Sequence, residues 1–111
     1  PGIILETIGR RSGTPRRVVL TYLPDGERIV VIASNYGREG HPAWYRNIEA
    51  EPSVTIIAKR FRRPYRARIA LGEERLRCLR ATDDATYGVY AAYARKTSRE
   101  IPVVVLEPTS K

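Results

Sequence analysis

Tyr65-Arg66-Ala67-Arg68-Ile69-Ala70-Leu71, with Val54-Thr55-Ile56-Ile57-Ala58 shortly before it, decides how the rest of the chain reads. Tyr65, Ala67 and Ile69 alternate with Arg66 and Arg68, a period of two that turns one face of a strand to a core and the other to water. Lys59 to Pro64 joins the two runs. Working outward, Ile3 to Ile8 reads as a first strand. Val18 to Leu23 is a second, closed by Pro24-Asp25-Gly26. Ile29 to Ala33 is apolar almost without interruption and so reads as buried on both faces. Pro102 to Leu106 closes the set. Pro42 suits a first helical position, with Trp44, Tyr45 and Ile48 on one face of a short helix that Pro52 ends. Glu73 to Ala81 and Ala85 to Lys96 read as two more helices, split by Asp83-Asp84, either of which would cap the second. The class is mainly β with flanking helices, and six strands predict a small antiparallel barrel in one domain over residues 1–111.

The bulk properties narrow the chemistry. A chain of 111 residues buries a core without disulfides or metal. Cys78 has no second cysteine to bridge, and the spacings of a zinc site are missing. With His41 as the one histidine, a two-histidine metal site is excluded and a Ser-His-Asp triad nearly so. No run approaches the ~18 apolar residues of a membrane span, and no signal peptide precedes the first strand. These features fit a reducing, cytoplasmic setting. The chain has no Met and opens with Pro1 directly on Ile3-Ile4-Leu5, so residues before Pro1 are expected to have been trimmed. A net charge of +8 and a pI near 10.1 call for an anionic partner: a phosphate ligand, nucleic acid or an acidic membrane surface.

Four segments are candidates for function. In Gly9-Arg10-Arg11-Ser12-Gly13-Thr14-Pro15-Arg16-Arg17, four arginines bracket two glycines between strands. Glycines let backbone N–H groups converge on an anion, and arginine forks grip phosphate or carboxylate with paired bonds. A solvated basic turn is an equally good reading. Lys59-Arg60-Phe61-Arg62-Arg63-Pro64-Tyr65-Arg66-Ala67-Arg68 mixes cations with aromatic rings, as a nucleic-acid strip does. A hairpin charged to block edge pairing explains it better. Ala33-Ser34-Asn35-Tyr36-Gly37 and the Trp44 helix suit a slot for a flat ring system. Tyr87, Tyr90 and Tyr93, three residues apart, share an arc of about 120° on a helix. Buried phenols need partners, which favours a pocket wall over plain core.

Together, several stretches resemble the deazaflavin-dependent nitroreductase family. They are Thr7 to Arg16, Val31-Ile32-Ala33-Ser34 with Gly37, Pro42-Ala43-Trp44-Tyr45-Arg46-Asn47-Ile48, and Ile101 to Pro108. The resemblance implies a six-stranded antiparallel split β-barrel that takes reduced coenzyme F420 and passes a hydride to a quinone or nitroaromatic. It implies that Arg10, Arg11, Ser12, Gly13, Arg16 and Arg17 hold the anionic tail. Val18, Val19, Leu20, Thr21 and Ile32, Ala33, Ser34, Asn35 would flank the rings, with Ala43, Trp44, Tyr45, Arg46 and Asn47 closing the slot. Tyr87, Tyr90 and Tyr93 would surround the acceptor, where Ser34 and Tyr90 stabilise negative charge on its oxygen. Peripheral contact with the cytoplasmic face of a membrane stays open, and nothing in the sequence sets the oligomeric state. An FMN-binding split barrel and a non-catalytic deazaflavin carrier are the alternatives, with a nucleic-acid-binding barrel last.

Overall fold

The sheet turns back on itself at Thr21-Tyr22-Leu23. In the computed structural model, which describes residues 2–109, β2 (Pro15–Thr21) and β3 (Leu23–Asp25) are separated by Tyr22 alone. Yet they lie at opposite edges of a sheet ordered β2-β1-β5-β6-β7-β4-β3. The intervening strands are β1 (Gly2–Ile8), β4 (Arg28–Ile32), β5 (Ser53–Ala58), β6 (Phe61–Ile69) and β7 (Val103–Pro108). One extended run thus borders both ends of the sheet and curls it into an antiparallel half-barrel. Where the sequence pattern predicts six strands there are seven among the described residues, because the second divides at Tyr22 where it changes edges.

The apolar run of β4 is buried on both faces, as expected. Ile29 and Val31 join Leu5, Ile56 and Leu106 in one core, while Val30 joins Val103, Val105 and Cys78 in another. Helix α1 (Ala43–Ala50) presses Trp44, Tyr45 and Ile48 onto the first core. Helix α2 (Gly72–Ala85) covers the second through Cys78, whose thiol is fully buried and pushed up from its ordinary pKa by that burial.

Two local expectations are corrected. Asp83 and Asp84 do not end a helix, since α2 runs through them to Ala85. The break falls at Tyr87-Gly88, both with positive φ (56° and 86°), before α3 (Val89–Ala94). Asp83 still serves α3 from inside α2, its Oδ1 accepting from Ala91 N at 3.1 Å. The basic hairpin also has a different role. β5 pairs with β1 and β6 with β7, so neither is an edge to be protected. Two of its arginines instead form ion pairs: Arg62 with Glu6 at 3.2 Å, and Arg68 with Glu74 and Glu107, both at 2.7 Å. Arg68 holds Glu74 below the usual carboxylate range.

Candidate active site

The connection between β1 and β2 is built around two glycines. Gly9 N donates to Thr14 O at 2.8 Å and Gly13 N to Gly9 O at 2.8 Å, with Gly13 at a φ of 71°. The Ser12 hydroxyl accepts from Thr14 N and from Arg16 Nη2 and pairs with Thr14 Oγ1 at 2.8 Å, so it is engaged within the loop. A methyl group on Gly9 would stand 2.6 Å from Ser12 Oγ, so a side chain there would displace the Ser12 hydroxyl.

Asn47 ties the loop to α1. Buried beneath it, the Asn47 carbonyl accepts from Arg10 N (3.2 Å) and Arg10 Nη1 (3.0 Å), and its amide donates to Thr7 Oγ1 (3.0 Å). Asn47→Ala is expected to cost about 1–3 kcal/mol, read by urea unfolding, because it leaves the buried Thr7 hydroxyl without its donor and unties Arg10 from α1. Arg17 is paired with Glu6, Nε to Oε2 at 2.8 Å, a carboxylate it shares with Arg62. Among the described residues no acidic partner meets Arg10, Arg11 or Arg16, so these three carry the loop's free positive charge.

The loop forms one end of a cleft of about 1360 Å³. A pocket for one drug-sized ligand spans roughly 300–1,000 Å³, so this cleft is larger than one such ligand needs. Val18, Val19, Leu20 and Thr21 run along it on β2. Ile32 ends β4 and Ser34 and Asn35 follow it, and Ala43, Trp44 and Asn47 come from α1. Tyr90 and Tyr93 close it from α3. Burial raises the Tyr90 pKa, with Arg75 pulling the other way, so its phenol keeps its proton at neutral pH.

Other expected residues are not in this lining. Gly13 stands at the loop tip, and Ala33 and Tyr45 belong to the core. Arg46 faces outward and pairs with Glu49 at 3.5 Å. Tyr87 is 96% exposed, since the break before α3 swings it away from Tyr90 and Tyr93. Conversely, Tyr22, Thr82 and His41 line the cleft without having been assigned to it. Thr82 lies where the sequence suggests a helix break; its buried hydroxyl has no hydrogen-bond partner among the described residues. Burial, then Arg99 and Arg46, hold the His41 pKa below its ordinary value against the pull of Glu49. The donor set fits a ligand with an anionic tail and a planar apolar head: loop guanidinium groups without acidic partners among the described residues, and aliphatic and aromatic side chains along the rest of the lining.

The model of the F420H(2)-dependent quinone reductase family matches residues 1–108. The chain belongs to that family. Rv3178 of Mycobacterium tuberculosis, named for the same group, is 36% identical over 108 residues, spanning 97% of this chain and 90% of its own. The F420H(2)-dependent quinone reductase Rv1261c of the same organism is 34% identical, covering 96% and 72%. The solved structure of the F420-H2 dependent reductase FDR-A superposes with a TM-score of 0.86 at 35% identity, over 96% of this chain and 94% of that one. Family and fold therefore agree with the half-barrel. Among the described residues no helix is long and apolar enough to cross a membrane, and no cluster of metal-ligating side chains is found.

Proposed function

We propose that this chain is an oxidoreductase that uses reduced coenzyme F420 to reduce a quinone, with nitroaromatics as further acceptors. The observation that carries the reading is one continuous cleft, with unpaired Arg10, Arg11 and Arg16 at one end and two protonated hydroxyl donors, Ser34 and Tyr90, lining it. When bound, the cofactor supplies a hydride from its reduced deazaflavin ring. The arginines grip its anionic tail, and Asn47 keeps their loop in place from below. Val18, Leu20, Ala43 and Trp44 give the ring system an apolar slot and exclude water. Ser34 and Tyr90 donate hydrogen bonds where negative charge grows on the acceptor oxygen. Solvent provides the final proton.

The test is anaerobic mixing of the protein with reduced F420 and a panel of benzoquinones, naphthoquinones and nitroaromatics. Oxidation of F420 that needs both protein and acceptor is expected. Tight F420 binding with no acceptor turned over would favour the carrier alternative. Flavin absorbance in the purified protein, with no response to F420, would favour FMN.

A further inference from the structure

Arg99, between α3 and β7, gathers the wall of the cleft around one guanidinium. Its Nε donates to Arg38 O at 2.9 Å, Nη1 to Ala33 O at 3.2 Å and Nη2 to Ser34 O at 2.7 Å. These bonds pin both ends of a loop in which Asn35 and Tyr36 adopt φ of 50° and 59°. Such conformations persist where the surroundings over-determine them.

The fourth contact of Arg99 is chemically directive. Nη1 faces His41 Nδ1 at 2.9 Å. A guanidinium has donors only, so Nδ1 must accept, and a neutral imidazole then carries its proton on Nε2. The ring also packs against Tyr45, centroid to centroid at 4.8 Å. His41 lines the cleft between Ser34 and Ala43 in sequence, and its Nε2 has no partner among the described residues. Partly exposed at the cleft wall, that oriented donor is open to an acceptor on a ligand that enters the cleft.

Resting on the reading of the cleft as an F420 site, we propose that His41 is a further binding residue and Arg99 its positioning residue. Arg99 locks the imidazole as the Nε2–H tautomer, and that N–H donates to a carbonyl oxygen of the planar ligand in the cleft. An ordinary loop histidine, by contrast, would exchange tautomers freely and ignore the ligand.

The test combines ring nitrogen NMR with fluorescence titration by oxidised F420. In the free wild-type protein, His41 should show a single neutral tautomer protonated at Nε2, and Arg99→Gln should give a mixture. On saturation with F420 the Nε2 resonance should move. His41→Phe, which keeps a ring against Tyr45 but has no donor, should weaken F420 binding roughly five- to tenfold, the loss of about one hydrogen bond. His41→Gln, which restores an N–H, should stay within about threefold of wild type on the same bookkeeping. Wild-type binding that His41→Phe retains, or an Nε2 signal unmoved at saturation, would overturn the proposal alone. A wild-type protein that does not bind F420 would overturn the cofactor reading and this proposal with it. The NMR arm uses unmodified protein, so a variant that fails to fold does not block the test.

Discussion

Replacing Tyr90 with Phe is expected to lower quinone turnover about a hundredfold while leaving F420 affinity unchanged. The substitution removes one hydroxyl and nothing else from the wall of the cleft. Its pKa is raised by burial, so the phenol is a donor through the neutral range and ionises only in more alkaline solution. A donor aimed at developing negative charge contributes about 10²–10³ in rate where it has been removed from other enzymes. Steady-state kinetics at saturating reduced F420 give the number. The loss should appear in kcat, because the bond strengthens as the acceptor oxygen gains charge. Unchanged turnover would remove Tyr90 from the mechanism and leave Ser34 as the remaining candidate.

Gly37→Ala should lower the melting temperature by about 10 °C. Gly37 ends the 3₁₀ turn Asn35–Gly37 at a φ of 80°, a left-handed conformation that strains any residue with a Cβ. The added methyl would also stand 2.8 Å from Tyr93 O and 2.9 Å from Lys96 Cβ. The Tyr93 carbonyl is backbone and cannot swing aside, so α3 must shift. Strain and clash together cost about 2–3 kcal/mol, which near the midpoint corresponds to roughly 10 °C for a domain of this size. Activity should fall beyond what stability explains. Gly37 seats α3 against the Ser34 loop, where the Tyr36 and Tyr93 rings meet edge to face at 6.1 Å. Gly40→Ala is the control, since a methyl there meets nothing within 4 Å.

Those two positions show what the sequence could and could not convey. Alternation in Tyr65–Ile69 and the apolar run at Ile29–Ala33 report burial on one face or two, so strands and core were legible. Closure was not, because Thr21-Tyr22-Leu23 looks like continuous strand whichever edge each half joins. The break before α3 was misplaced for a similar reason. Asp83-Asp84 carries a capping signal, whereas the left-handed backbone of Tyr87 has none of its own. In the site, the arginine loop stood out because glycine, serine and arginine cluster between two strands. The pairing of Arg17 with Glu6, which separates it from the free cations, depends on strand register instead. Arg99 gave no warning: within Thr97-Ser98-Arg99-Glu100 it reads as a solvated loop residue. Its partners lie 58 to 66 residues away, and three of them are backbone carbonyls that no side-chain pattern marks.

The central claim is that unpaired arginines of the β1–β2 loop hold the anionic tail while the cleft beside them receives the rings. It is tested by titrating wild type and an Arg11→Ala/Arg16→Ala variant with F420 and with the same deazaflavin chromophore lacking its phosphate-bearing tail. Wild type should bind intact F420 at least about tenfold more tightly than the tail-less form, each charged contact contributing about 1.5–3 kcal/mol before solvent screening. The variant should lose most of that preference yet bind the tail-less form as wild type does. Equal preference in both proteins would contradict the account.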